Sequence, residues 1–271
     1  MIWTTRPRSE GAGALRYFTQ GTGPALVLIH GVGLRAEAWS AMLPALARDN
    51  RVICVDMPGH GASPLNEAAT LDDFVARLTA FTDALDGPVR LAGHSMGALL
   101  SVCVAAQRPD RIEAIAAVST VYQRPEAATR AVRARAAGLA SGQGVDPGPT
   151  LARWFGTHPQ GVDADCAAAC GGWLAGGCRQ GYATAYDIFA QQDGPAAGDL
   201  QALECPALFL TGENDPKSTP AMSQALAATV PHGRACIIEG AAHMVPMTHA
   251  RQVAACLSDF FVQPHPDQKG S

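Results

Sequence analysis

"LAGHSMGALL", residues 91–100, places a serine between two glycines, with an apolar run before it and another after it. The preceding "PVRLA" reads as a strand and the following "ALLSVCVAAQ" as a helix, so Gly93-His94-Ser95-Met96-Gly97 is a strand-to-helix turn. A turn this tight crowds the backbone around residue 95, and the positions two before and two after it must lack side chains. Glycine meets both demands. Ser95 is thereby lifted off the sheet at a helix N-terminus, where backbone N–H groups point toward any oxyanion formed by attack on a carbonyl. The Met96 N–H is one expected donor. Taken alone, the pattern fits a nucleophile and an ordinary turn serine equally well, and the choice falls to the rest of the chain.

Short aliphatic runs recur at "ALVLI" (25–29), "RVICV" (51–55), "PVRLAG" (88–93), "IEAIAAVS" (112–119), "PALFLTG" (206–212) and "RACIIEG" (234–240). Each is short and nearly continuous in its apolarity, as buried parallel strands require. Helix-length amphipathic segments fall between them, at about 36–48, 70–85, 96–107, 218–230 and 248–261. The predicted fold class is therefore α/β, a mostly parallel central sheet with helices on both faces. The alternation fails between residues 121 and 198, where no strand signal occurs and Ala, Gly, Arg and aromatic residues take over. Three or four short helices with Gly/Pro breaks are expected there, an inserted helical subdomain (121–198) within a core of 1–120 and 199–271. The tail "VQPHPDQKGS" (262–271) is polar and expected to fray.

The 271 residues, 48% hydrophobic and 16% charged, are enough to bury a sizeable core. The net charge of −4 comes from 24 acidic and 20 basic residues without a basic block, which argues against nucleic acid as a partner. No run reaches the ~18 apolar residues needed to span a bilayer, and the N-terminus lacks the apolar stretch of a secretory leader. A cytoplasmic protein that does not enter a membrane is expected. Cys54, Cys103, Cys236 and Cys256 lie in apolar runs and read as small buried hydrophobes. Cys166, Cys170 and Cys178 lie closer together with His158 nearby, but no CxxC pair exists and the segment is Ala/Gly-rich, so no metal site is assigned.

Chemistry at Ser95 needs partners on the same edge of the sheet. "VLIHGVGLR" ends a strand in His30-Gly31-Val32-Gly33, where a second oxyanion donor is expected, and the Val32 N–H is the candidate. A serine hydroxyl is a poor nucleophile until an imidazole takes its proton. His243 follows the last strand across a short loop and so lies at a strand's carboxyl end, as Ser95 does. His232 lies at the wrong end of that strand, His158 in the insertion, and His249 in the expected final helix. An acid must hold the imidazole's tautomer and stabilise its cation. Asp215, three residues past Gly212 in "LFLTGENDP", fits that role, with Glu213 as the lesser alternative.

Serine, then acid, then histidine along an alternating α/β chain resembles the α/β-hydrolase superfamily, in its compact esterase and lactonase branch. The resemblance runs from "HGVG" through "DMPGHGAS", "GHSMG" and "TGEND" to "GAAHMVP", nearly the whole chain. It implies a helical cap over the active site at 121–198, where substrate choice resides, and a structural role for the "DMPGHGAS" loop, with His60 a loop residue rather than a ligand. The implied chemistry is acyl transfer to water from a small-molecule carboxylic ester, with Ser95, Asp215 and His243 catalytic and Val32 and Met96 forming the oxyanion hole. It calls for no metal or organic cofactor, and "GAGALRYFTQGTG" lacks GxGxxG after a strand.

The same residues serve lactone, enol-lactone, amide or C–C bond hydrolysis, perhydrolysis, or acyl transfer to an alcohol or thiol. A non-catalytic receptor of the same fold is the alternative from another class. Ser95 argues against a dehalogenase, whose nucleophile would be aspartate. Arginines of the insertion (Arg124, Arg130, Arg133, Arg135, Arg153 and Arg179) read first as a solvated helix face, with a carboxylate-bearing substrate as the alternative. Arg35, just after the oxyanion loop, is the candidate to reach a substrate acid group. Trp154, Trp173, Tyr182 and Tyr186 either line an apolar pocket or pack the cap on the core. Oligomeric state is not legible.

Overall fold

A computed structural model describes residues 2–66, 69–142 and 146–262. Nearly all of the tail expected to fray lies outside these. Two strands that no apolar run announces open the chain. Ser9–Glu10 (β1) pairs antiparallel with Arg16–Gln20 (β2), whose "RYFTQ" turns only Phe18 fully into the core and so carries no continuous apolar signal.

Ala25–Ile29 (β3) is buried at every position. A 3₁₀ segment, Ala36–Met42, and a short helix, Leu43–Leu46 (α1), replace the single helix expected over 36–48. Pro44 has no N–H to donate back to residue 40, so an α-helix cannot run through it. Arg51–Asp56 (β4) follows, and then Leu71–Asp83 (α2), which starts with a capping box between Thr70 and Asp73.

Val89–His94 (β5) leads through Ser95 into Met96–Gln107 (α3), a helix apolar on nearly all sides because the sheet and other helices enclose it. After Ile112–Val118 (β6), the chain leaves the sheet for Glu126–Ala140 (α4), Gly148–Phe155 (α5), Val162–Gly176 (α6) and Arg179–Ala190 (α7). Ala197–Gln201 (α8) already packs on α3. The sheet resumes with Ala207–Gly212 (β7), then Pro220–Thr229 (α9) and Gly233–Ile238 (β8). The expected final helix is two, Val245–Thr248 (α10) and Ala250–Val262 (α11), and His249 is the non-helical residue between them rather than a helical one.

The strand order is β1-β2-β4-β3-β5-β6-β7-β8, parallel from β4 to β8 and antiparallel at the β1-β2-β4 edge. Val27 and Ile29 point into one apolar layer with α2 and α3, while Leu26 and Leu28 point into the other with Trp39 and α11. A third cluster joins Phe155, Cys166 and Cys170 of the inserted helices to Leu34, Met244 and Met247 of the core. Among the described residues, no helix is long and apolar enough to cross a membrane.

The N-terminal segment is tied down by charge. Arg8 donates to Glu37 at 2.7 and 2.9 Å and to Asp56 at 2.8 Å, with both carboxylates buried. Burial alone would raise both acids, but the Arg8 hydrogen bonds reverse this and hold them below the usual carboxylate range.

Candidate active site

Ser95 adopts φ 54° and ψ −113°, a conformation that side chains rarely take. The turn around it leaves no room for alternatives. A Cβ on Gly93 would sit 2.0 Å from the Gly97 carbonyl oxygen, and one on Gly97 would sit 2.2 Å from that of Ile29. Gly93 is thus demanded by the start of α3 and Gly97 by the end of β3. The Ser95 N–H donates to the Val118 carbonyl at 2.8 Å, which pins the elbow to β6.

Asp215 and His243 hang from the carboxyl ends of the next two strands, β7 and β8. His243 Nδ1 lies 2.8 Å from Asp215 Oδ2. The other carboxylate oxygen, Oδ1, accepts from the backbone N–H groups of Lys217 at 2.9 Å and Ser218 at 3.1 Å. Burial would raise the Asp215 carboxyl, but the His243 charge, its hydrogen bond and the two N–H donors outweigh that and hold it at about 2. Asp215 is thus a carboxylate that fixes a proton on His243 Nδ1 and leaves Nε2 for other work. Glu213 is exposed and accepts from the Gly240 N–H instead. His158 is exposed, and His249 contacts Thr248.

Three buried histidines brace this edge. His94 Nε2–H donates to the His243 carbonyl at 2.9 Å, and burial together with the nearby His243 pushes His94 down to about 3, so it stays neutral. His30 donates from Nδ1 to the Gly31 carbonyl at 2.8 Å and accepts at Nε2 from the Met57 N–H at 3.0 Å. His60 Nε2 accepts from the Gly33 N–H at 3.0 Å, while its Nδ1–H donates to the Pro58 carbonyl. The "DMPGHGAS" loop therefore holds the "HGVG" loop in shape. Among the described residues, neither the Val32 nor the Met96 N–H has a hydrogen-bond acceptor.

Ser95, His243, Gly31 and Val32 share one cavity of about 310 Å³, roofed by Arg124, Thr150, Arg153, Trp154, Tyr182 and Tyr186 from the inserted helices. The size suits a small molecule. Trp154, Tyr182 and Tyr186 thus line the pocket, whereas Trp173 packs edge-on against Trp3 and faces a neighbouring cavity.

Several expectations need correction. Arg35 does not line the Ser95 cavity: its Nε donates to the buried Glu37 at 2.8 Å, and it faces the neighbouring cavity. The solvated-face reading holds for the exposed Arg130, Arg133 and Arg179, but not for Arg124 and Arg135; Arg153 is exposed yet also borders the Ser95 cavity. Arg124 is buried over the Phe189 ring, and Arg135 and Arg153 both reach Thr150. Cys236 and Cys256 are only half-buried, on β8 and α11, with their sulfurs 2.7 Å apart. Cys166 and Cys170 are fully buried in the apolar cluster under α6, where burial pushes the Cys166 thiol up to about 12. Cys178 is exposed at the start of α7. Lys217 and Thr150, which line the cavity, escaped the sequence reading because neither stands in a motif.

The sequence model of the alpha/beta hydrolase family matches residues 26–256. The chain belongs to this family. Among its curated relatives, the alpha/beta hydrolase is 43% identical over 239 residues to an (E)-2-((N-methylformamido)methylene)succinate hydrolase of Acinetobacter baylyi, covering 88% of this chain and 90% of that one. It is 31% identical to a pimeloyl-[acyl-carrier protein] methyl ester esterase of Chromobacterium violaceum, covering 89% and 95% of the two chains. The enol-lactonase of Burkholderia xenovorans superposes with a TM-score of 0.80 at 24% identity, over 95% of this chain and all of the other, a likeness of fold. The alpha/beta hydrolase is accordingly an enzyme with the fold expected from its motifs.

Proposed function

We propose that this hydrolase cleaves an acyl bond of a small molecule through Ser95, with His243 as general base and acid and Asp215 as its orienting carboxylate. The observation that carries this reading is the 2.8 Å contact between His243 Nδ1 and Asp215, at the wall of the same cavity onto which the Ser95 elbow opens. Ser95 Oγ bonds to the substrate carbonyl carbon as His243 Nε2 takes its proton. The oxyanion accepts from the Val32 and Met96 N–H groups. Collapse expels the leaving group, which receives the proton from His243, and leaves an acyl-serine. Water then adds to the acyl carbon with His243 again as base, and the acid departs as Ser95 regains its hydrogen.

The scissile bond we favour is the C–N bond of an N-acyl compound, supported by the relative at 43% identity whose named substrate carries an N-methylformamido group. A carboxylic ester is the second reading, supported by the esterase relative at 31% identity. The test is hydrolysis of matched N-acyl enamine, ester and lactone substrates by the wild type and by Ser95→Ala. The substituted protein is expected to fold normally and to lose about a thousandfold or more in kcat on every substrate cleaved. Turnover by Ser95→Ala at the wild-type level would sink the assignment, and faster turnover of ester than of amide would exchange the two readings.

A further inference from the structure

The roof of the cavity gathers cationic side chains around one threonine hydroxyl. Arg135 Nη2 donates to Thr150 Oγ1 at 2.7 Å, and Arg153 Nη2 donates to the same oxygen at 3.1 Å. Two guanidinium groups thus converge on one neutral hydroxyl. Both lone pairs of that oxygen are taken, so the Thr150 O–H is left to act as a donor. Thr150 is buried and lines the cavity. Arg135 also donates to the Tyr182 hydroxyl at 3.2 Å and stacks on the Tyr186 ring, and its Nε is buried without a partner. Lys217 lines the cavity beside them.

No described acid pairs directly with these cations, and only Asp215 acts on Lys217 from a distance. Among the described residues, no carboxylate lies within ion-pairing distance of Arg135, Arg153 or Lys217. No Asp or Glu lines the cavity. Asp193 is engaged by Arg124 and Thr129, and Asp146 caps the Gly148 N–H. Asp215 is occupied by His243 and two backbone N–H groups. Arg153 and Lys217 are exposed, so water screens them in part, but cations gathered this closely repel one another and an anion joining them relieves that repulsion.

We infer that Arg153, Lys217 and the Thr150 hydroxyl, backed by Arg135, form a carboxylate-binding pole, and that the substrate of the reaction proposed above is a dicarboxylate. Three positive charges, only one of them partly offset by Asp215, call for more than one negative charge. Guanidinium groups pair with carboxylates through charge-assisted, fork-shaped contacts, and Lys217 supplies a point charge. Partial loss of solvent around the Lys217 ammonium and the positive charges of Arg153, Arg135 and Arg124 push it down to about 8, against the pull of Asp215. An incoming carboxylate relieves that repulsion.

The inference rests on the Ser95 reading for its choice of substrate, and the experiment separates the two. The rate at which a fluorophosphonate probe labels the full chain is measured alone, with succinate, and with succinamide, which has the same skeleton but no charge. Succinate is expected to slow labelling at least about tenfold, succinamide to have no effect, and Arg153→Met to lose the protection by succinate. Equal effects of succinate and succinamide, or protection that survives intact in Arg153→Met, overturn the pole. Should Arg153→Met fail to fold, Lys217→Met carries the same comparison. Labelling that persists in Ser95→Ala overturns the nucleophile instead. In that case a rise in melting temperature with succinate but not succinamide still reads the pole, and its absence rejects it.

Discussion

His94 Nε2–H donates to the carbonyl of His243 across 149 residues of chain, at 2.9 Å. The residue immediately before the proposed nucleophile therefore holds the backbone of the proposed base, and one neutral imidazole links the two sides of the site. His94→Leu removes the donor at 2.9 Å and leaves the His243 carbonyl only the longer 3.4 Å contact from the Ser119 hydroxyl. The expected outcome is a fall in kcat of about tenfold with KM little changed, because the base is displaced while the substrate contacts remain. Steady-state kinetics with a pH profile check it, and an unchanged kcat would show that the imidazole is packing alone.

Gly97→Ala is the corresponding test of the elbow. Its added methyl would meet the Ile29 carbonyl oxygen at 2.2 Å, and both β3 and α3 would have to shift. A loss of about 3 kcal/mol or more in stability is expected, read from urea unfolding midpoints. A midpoint within experimental error of wild type would mean that the elbow is far softer than its packing implies.

Acid should loosen the fold partly through Asp215. Its carboxyl is held at about 2, below the 3.8 of a free aspartate, so it contributes stability that is fully present above 3.8 and is lost as pH falls through about 2. The gap is worth on the order of 2 kcal/mol. The stability difference between wild type and Asp215→Asn is therefore expected to shrink as pH is lowered from about 6 toward 3. Chemical denaturation at a series of pH values measures it, and a difference independent of pH would contradict the assignment.

Lys217 gives the opposite sign at the alkaline end. Its ammonium is held down to about 8, so the positive charge is present below that pH and is lost above it. Protection of Ser95 by succinate, taken as a ratio of labelling rates at each pH, should weaken severalfold between about pH 7 and 9. In Lys217→Met the ratio should be flat over that interval.

How much of this was legible beforehand depended on whether the signal was local. The parallel strands are nearly continuous apolar runs, so β3 to β8 could be placed from their own residues, although the outermost β8 buries only Ile238. The elbow was legible because its glycines lie two residues to either side of Ser95. β2 was not, since a strand on the antiparallel edge alternates and only Phe18 is fully committed to the core. Asp215 and His243 were found by their positions at strand ends, without any knowledge of their separation. The pairing of Arg135 with Arg153 was beyond reach, because it depends on the angle between α4 and α5 and on a threonine with no motif around it. Arg35 misled for a related reason. Its proximity to the oxyanion loop in sequence says nothing about Glu37, which captures its guanidinium two residues on.

Ser95 stands on β5, flanked by β3 and β6, whereas His243 hangs from β8, the last strand of the sheet. An outermost strand has one row of ladder bonds instead of two, so it opens with less cost than an interior one. A chain warmed short of full unfolding is accordingly expected to lose the placement of His243, the proposed base, while the serine keeps its posture. Such a molecule is disarmed but not dismantled, and recovers on cooling by the return of a single strand.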